Sequence, residues 1–103
     1  MAYKVLFQSN PAATTDTTVY TATGAFIVHT LYICNQHSTD TALVRVAIRV
    51  AAAALSAPQY ALYDVPVDPL YFGVVRGLAG GNTDLIVVRA SHANVSFTGY
   101  GDA

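Results

Sequence analysis

Apolar and polar residues alternate along much of this chain in short runs, the pattern expected of strands that bury one face. The clearest run covers residues 42–50. Its aliphatic positions are Val44, Val46, Ile48 and Val50, and its opposite positions are Arg45, Ala47 and Arg49. Because side chains alternate across a strand, we expect the aliphatic side to face a core and Arg45 and Arg49 to face water or an interface.

Short runs of this kind, bounded by Gly, Pro, Asn and Asp, recur from one end of the chain to the other and predict about eight strands. The expected bounds are 3–8, 17–21, 25–35, 42–50, 59–64, 70–78, 84–90 and 95–100. Turns about every eight to twelve residues are typical of an antiparallel β-sandwich or small barrel. We therefore predict an all-β fold, a single antiparallel β-sandwich of jelly-roll or immunoglobulin-like type over residues 1–103, with residues 1–16 as an N-terminal arm or first strand.

Two stretches depart from simple alternation. Residues 26–35 are apolar on both sides, so we expect a loop, the N-terminal arm or a neighbouring subunit to cover the second face. Strict alternation would place Phe26, Val28, Tyr32 and Cys34 on one face and Ile27, Leu31 and Ile33 on the other. The alanines at 51–54 favour a helix, but they form too short a run before Pro58 and are predicted to be a loop or a single turn.

Composition narrows the range of partners. Apolar residues make up 53% and charged residues 11% of the chain, and the latter is about half the usual share. The net charge is −1 and the few cations are scattered, which argues against nucleic acid. No apolar run approaches the roughly 20 residues of a membrane span, and one cysteine cannot form an intrachain disulfide. We expect a protein made in soluble form whose neutral surface is covered by copies of itself or by a larger partner.

Candidate chemistry is sparse. His29, His37, His92 and Cys34 lack the spacing of a metal site, and His29 and Cys34, five apart, are expected on opposite faces of a strand. No nucleophile elbow or phosphate-binding loop is present. Asp64 and Asp68 flank Pro66 in an expected turn, where aspartates usually bond to nearby backbone. We predict no enzyme activity, no cofactor, no metal and no small-molecule substrate.

Tyrosines are the remaining candidates for a contact surface. Tyr60 and Tyr63 flank Ala61-Leu62, and Tyr71 follows Pro69. Tyrosines in such places line a core with the hydroxyl at its rim, anchor protein interfaces, or stack on sugars. The residues themselves leave these three interpretations open.

A set of short motifs, in order over residues 8–100, resembles a family of small virion proteins of tailed bacteriophages. The motifs are Gln8-Ser9-Asn10-Pro11-Ala12-Ala13, the Thr-rich residues 14–20, Leu31-Tyr32-Ile33-Cys34-Asn35, Val44-Arg45-Val46-Ala47-Ile48-Arg49, Tyr60-Ala61-Leu62-Tyr63-Asp64, Gly77-Leu78 with Asp84-Leu85-Ile86-Val87, and Ala93-Asn94-Val95-Ser96-Phe97-Thr98-Gly99. The resemblance implies a small β-sandwich on the virion and carries over no catalytic residue.

The resemblance implies either a capsid cement (decoration) protein or a tail or fibre component. We expect the first, as a homotrimer that bridges neighbouring major capsid proteins on the head surface. Such a protein is assembled in the cytoplasm of the bacterial host. The alternative is a tail, baseplate or fibre component that binds host glycans. An arm over residues 3–16 could add a strand to a neighbour; the alternative is that residues 12–16 form only a surface loop. The candidate interface residues are Tyr3, Lys4, Arg45, Arg49, Tyr60 and Tyr63.

Overall fold

The computed structural model describes residues 3–103, which form eight strands and two short 3-10 turns. The strands are β1 (Tyr3–Ser9), β2 (Thr17–Thr21), β3 (Phe26–Asn35), β4 (Ala42–Arg49), β5 (Tyr60–Val67), β6 (Phe72–Gly80), β7 (Leu85–Ala90) and β8 (Val95–Asp102). The 3-10 turns, Val50–Ala52 and Ala57–Gln59, lie between β4 and β5. Within the described range, no helix has the length and apolar character needed to cross a membrane.

The strands form two antiparallel four-stranded sheets. One sheet, which we call sheet A, has the order β1-β8-β3-β6, and the other, sheet B, has the order β2-β7-β4-β5. The predicted all-β sandwich of about eight strands is therefore confirmed. In an immunoglobulin sandwich the first two strands lie side by side, whereas here they lie in opposite sheets, as in a jelly roll.

The core lies between the sheets and consists of aliphatic and aromatic side chains from both. The largest fully buried members are Phe26, Phe97, Leu31, Ile33, Ile86, Val28, Val44, Val46, Val88 and Val95. Removal of each such side chain from water stabilises the fold by roughly 1.5–3 kcal/mol. Inward and outward positions alternate most regularly along β8, where every second residue is buried.

Strict alternation fails in β3, because its pairing with β8 shifts register between Val28 and Thr30. After the shift, the buried positions move by one residue. The buried residues of β3 are therefore Phe26, Val28, Leu31, Ile33 and Asn35. The faces expected from alternation were therefore wrong after Val28. His29 and Cys34 are both exposed, so their expected placement on opposite faces was wrong as well. No segment within residues 3–103 covers Ile27 and Tyr32, which are 38% and 46% exposed.

The β4 prediction holds for Val44, Val46 and Ile48, but Ala47, on the opposite side of the strand, is buried as well. Val44 and Val46 are fully buried and Ile48 packs against the core. The strand ends at Arg49, however, and Val50 is 62% exposed in the first 3-10 turn. Ala51 and Ala52 have φ values of +53° and +56°. The left-handed backbone turns the chain away from the sheet, which confirms a short turn here rather than a helix.

The fifth strand runs further than the sequence indicates. Pro66 was expected to end it, yet β5 continues to Val67 and pairs with β4 on one side only. A proline is tolerated on an edge strand because its missing N–H can face solvent. Asp64 therefore lies inside a strand and not in a turn.

The N-terminal residues belong to the sandwich. Tyr3–Ser9 form β1, which pairs along β8, and Phe7 enters the core. The stretch that follows is tied down as well. The Asn10 side-chain amide donates to the carbonyls of Ala93 and Val95, at 3.0 and 2.7 Å. Residues 3–10 thus occupy an edge of their own fold, and Met1 and Ala2 lie outside the described residues.

Candidate interaction site

An irregularity in β5 creates the most organised group of polar and aromatic side chains on the surface. In the pairing of β4 with β5, Val44 faces Val65 and Val46 faces Leu62, so that two residues of β5 oppose Arg45 alone. This arrangement is a β-bulge. The second of the two residues, Asp64, has a φ of +52°, a conformation that aspartate tolerates better than most side chains.

The bulge places the Asp64 carboxylate against the Arg45 guanidinium. Arg45 Nε donates to Asp64 Oδ1 at 2.7 Å, and Nη2 donates to Oδ2 at 3.2 Å. This hydrogen-bonded pairing raises the pKa of Arg45 and lowers the pKa of Asp64, although desolvation opposes both shifts. An ion pair this exposed contributes little to stability. Its consequence is positional, since two bonds hold the planar guanidinium in one orientation.

Two tyrosines complete the group. The Arg45 guanidinium carbon lies 4.1 Å from the centre of the Tyr63 ring, a cation–π contact. Tyr60 meets the same ring edge to face, with centroids 5.0 Å apart and planes at 85°. Tyr63 is nevertheless 57% exposed. We refer to Arg45, Tyr60, Tyr63 and Asp64 as the bulge cluster.

The bulge cluster borders a surface hollow of about 450 Å³. Its lining residues are Leu55, Ser56, Ala57, Tyr60 and Tyr63. Gln59 fixes the wall of the hollow, because its side-chain oxygen accepts a hydrogen bond from the Ser56 N–H at 2.9 Å. Tyr60 also borders a second hollow, of about 480 Å³, that includes Pro58 and Ala79. The two tyrosines therefore stand beside space that a partner could fill.

A second ion pair lies beside the first. Arg89 of β7 is directly opposite Arg45 across the sheet, and its Nη1 lies 3.7 Å from Asp16 Oδ2. Two arginines placed side by side would repel each other. Because Asp16 and Asp64 each approach one of them, the row is close to neutral overall.

The other predicted interface residues lie elsewhere. Arg49 binds the loop that follows it, with Nε donating to the Ala53 carbonyl at 2.6 Å and Nη2 donating to the Ala52 carbonyl at 3.0 Å. Tyr3 and Lys4 are exposed on β1, in the opposite sheet. The structure thus brings together Arg45, Tyr60 and Tyr63, and leaves the remaining three outside the cluster.

Asp64 is the member that sequence reasoning missed. It was expected to bond to nearby backbone in a turn, and its carboxylate instead pairs with Arg45 across two strands. Tyr71, considered with Tyr60 and Tyr63, lines a separate cleft with Phe72, and their ring centroids are 4.9 Å apart. The pairing of Arg45 with Asp64 leaves no local signal, because the residues are 19 positions apart.

The three histidines lie in two separate places. The rings of His37 and His92 lie 5.1 Å apart, and His29 Nε2 is 3.0 Å from Asp102 Oδ2. Among residues 3–103, no three His, Cys or Asp side chains gather into a group that could hold a metal ion. Cys34 is exposed on the outer side of β3.

Comparisons of the chain with family models, with curated proteins and with solved structures found no match. The bulge cluster must therefore be interpreted from its own geometry.

Proposed function

We propose that this protein is a structural subunit of a bacteriophage virion, a capsid cement protein that holds neighbouring major capsid proteins together. The observation that carries the proposal is the bulge cluster, in which the exposed Tyr63, the half-buried Tyr60 and Arg45 hold one another in place before any partner binds. Tyrosine and arginine are among the residues that dominate protein–protein binding energy. The jelly-roll fold, which also occurs in viral capsid proteins, adds support by analogy only.

The proposed mechanism is adhesion. Side chains that are already ordered lose little conformational entropy on binding, so more of the contact energy appears as affinity. The ion pairs of Arg45 and Arg89 leave a nearly neutral surface, which suits a protein partner better than nucleic acid. Many copies on one shell would add modest contacts together, since each bound copy links subunits that are already close.

Localisation tests the proposal. Antibodies raised against the recombinant protein would be applied to phage particles from the bacterial strain whose genome encodes the chain. We expect labelling over the surface of the head, with many copies per particle. Labelling confined to tails, or particles that lack the protein altogether, would contradict the cement role.

A variant assay tests the role of the bulge cluster. Recombinant protein would be added to heads from which the native protein has been removed, and occupancy would be measured. Tyr63→Ala should bind with about tenfold or greater loss of affinity, as expected for an exposed aromatic side chain that a binding partner buries. Tyr71→Ala is the matched control, because Tyr71 is equally exposed but lines a different cleft. Equal occupancy for both variants would exclude the cluster as the contact.

A second candidate function rests on the hollow beside Tyr60 and Tyr63. A space of about 450 Å³ is within the range of small-ligand pockets, and aromatic side chains can stack on sugar rings. A tail, baseplate or fibre component could use it to bind host glycans. A glycan array probed with the wild-type protein and with Tyr60→Ala would test this: binding that the substitution abolishes supports it, and no binding contradicts it.

A further inference from the structure

One of the four edge strands lacks the protection that the other three carry. Sheet A ends at β1 and β6, and sheet B ends at β2 and β5. Edge strands expose unpaired backbone groups, and proteins block them with bulges or prolines. Strands β1 and β2 each shift register against their single neighbour, and β5 carries two shifts and Pro66. Strand β6 pairs with β3 without a shift from Phe72 to Gly80.

The alternation of the ladder identifies the free backbone groups of β6. The N–H of Asn35 donates to the carbonyl of Tyr71 at 2.9 Å. In an antiparallel ladder, every second residue then faces the neighbour, so Gly73 and Val75 also point toward β3. Among residues 3–103, no turn or loop hydrogen bond involves the backbone N–H or C=O of the alternate residues between them. The residues whose N–H and C=O point away from the sheet are Phe72, Val74 and Arg76.

The open part of β6 is short and nearly symmetric. Leu70, with a φ of +57°, and Gly77, with a φ of +77°, interrupt the extended backbone on either side of it. Val74 lies at its centre. Phe72 is exposed near one end, and Arg76 at the other makes no ion pair with any carboxylate in residues 3–103. The segment thus carries an exposed aromatic ring, which contacts Tyr71 on one side, and a cation without an ion pair among residues 3–103, at equal distances from its middle.

We propose that two copies of this chain join edge to edge through β6, antiparallel, with a two-fold axis at Val74. Val74 would then pair with Val74 of the second copy, and Phe72 with Arg76 of the second copy. Every free N–H and C=O of these residues finds a partner, because all three fall in hydrogen-bonded positions of the new ladder. Each Phe72 ring receives an arginine across the junction, a favourable cation–π pair.

Other registers fit less well. An axis at Gly73 would place Arg76 opposite Leu70 of the second copy, where the backbone is left-handed. An axis at Val75 would place Phe72 opposite Leu78, beyond Gly77. An axis at Arg76 would set two arginines against each other, which is repulsive. The open edge also borders a cleft of about 220 Å³ between β5 and β6, lined in part by Ile33 and Val44, which the second copy would shield from water.

The test introduces like and then opposite charges at residue 74 of the two copies. Wild-type protein should sediment with twice the 10.9 kDa mass of one chain. Val74→Lys and Val74→Glu should each be monomeric, because like charges would face each other at the axis. An equimolar mixture of the two variants should restore the dimer. Rescue by the mixture is expected only where the two residues 74 lie close to each other across the junction.

Further variants provide controls and a test of the cation–π contact. Leu43→Lys places the same charge on a similarly exposed aliphatic residue of sheet B and should leave the dimer intact. Arg76→Ala should fold normally and weaken dimerisation about tenfold, since it removes two cation–π contacts. A monomeric wild-type protein, a trimer, or a dimer that neither Val74 variant disrupts would overturn the proposal. Tyr63→Ala should not affect dimerisation, so the outcome is independent of the proposed capsid contact.

Discussion

Asn35 is a single side chain that organises two loops. It is fully buried, and its amide donates to the carbonyls of Asp40, Val67 and Asp68 at 2.9–3.3 Å. Its oxygen accepts the N–H of His37 at 3.1 Å. The residue therefore satisfies backbone groups that would otherwise be unpaired near the core. Nothing in the sequence distinguishes it from the chain's exposed asparagines.

Replacement of Asn35 should be costly. We expect Asn35→Ala to lower the free energy of unfolding by about 2–4 kcal/mol, because several partner groups lose their bond at once. Urea denaturation would measure the change. Gln36→Ala, at the exposed neighbouring position, is the control and should change stability by less than about 0.5 kcal/mol. A similar small effect for Asn35→Ala would show that water replaces the lost bonds.

Gly101 is required by close contact between strands. A Cβ at this position would overlap the carbonyl oxygen of Ile27, near the bulge where β3 shifts against β8. We expect Gly101→Ala to destabilise the fold by about 3 kcal/mol or more, through overpacking against backbone that cannot move aside. Gly24→Ala is the control and should be neutral, because a Cβ there meets no atom within 4 Å. Thermal unfolding would measure both variants.

At the scale of elements, strand irregularities decide which side chains meet. The bulge in β5 depends on the left-handed backbone of Asp64. Glycine adopts this conformation freely, whereas a β-branched residue does so with strain. Asp64→Gly should therefore keep the bulge while releasing Arg45, and Asp64→Val should lower the melting temperature by several degrees more. Equal melting temperatures would mean that the bulge does not need this backbone conformation.

The turn after β4 should respond to acid through Asp84. Its carboxylate accepts the N–H groups of Gly81 and Ala51, at 2.9 and 2.8 Å, and these bonds lower its pKa although burial opposes them. The unfolded chain, with an ordinary aspartate pKa of about 3.9, then binds this proton more readily than the folded state. The stability from Asp84 is therefore complete above that pH and is lost as the pH falls through the lower, folded-state pKa.

The measurement is the melting temperature between about pH 6 and about pH 2. We expect wild type to lose stability toward the acid end and Asp84→Asn to show a shallower decline from a lower starting value. The asparagine amide keeps one oxygen as an acceptor but turns its NH2 group toward a backbone N–H, which is also a donor. The loss of this hydrogen bond explains the lower melting temperature at the start of the series. Asp64, whose pKa is also lowered, contributes a decline of the same sign in both proteins. An unchanged slope in the variant would exclude Asp84 as its source.

At the scale of the whole molecule, the two ends of the chain close the fold. Strand β1 pairs with β8, and the Phe7 ring fills the space over Gly99. We expect Phe7→Ala to lower the free energy of unfolding by about 3 kcal/mol, because it leaves a cavity at the core. Val5→Ala, on the exposed side of the same strand, is the control. A small effect of Phe7→Ala would indicate that β1 can leave the sandwich and act as a detachable arm.

The proposed dimer also belongs to this scale. A jelly roll has open edges, and its four edge strands differ only in how their pairing is interrupted. Edge pairing through β6 would extend sheet A across two copies and leave the bulge cluster of sheet B free for a capsid partner. The trimer expected from the sequence would need a different contact, so the oligomeric state separates the two hypotheses.

The sequence by itself determined the local features of this protein. Period-two alternation and turn residues predicted all eight strands, and β2 has the predicted bounds. Alternation along β4 correctly identified Val44, Val46 and Ile48 as the core side, because their pairing with β7 has no register shift, but it did not predict the burial of Ala47. These features depend on neighbouring residues in the chain, so one sequence is enough to detect them.

Only the tertiary structure decided the order of the strands, the exchange of buried and exposed positions within β3, and the pairing of Arg45 with Asp64. A bulge is a property of a pair of strands, because it exists only where two residues oppose one, and it leaves no fixed spacing in either strand. The effect of a bulge extends to every later residue of the same strand, since a shift of one position exchanges the buried and exposed faces of that strand. The buried surface, the bulge cluster and the open edge of β6 all follow from pairing, which local pattern cannot specify.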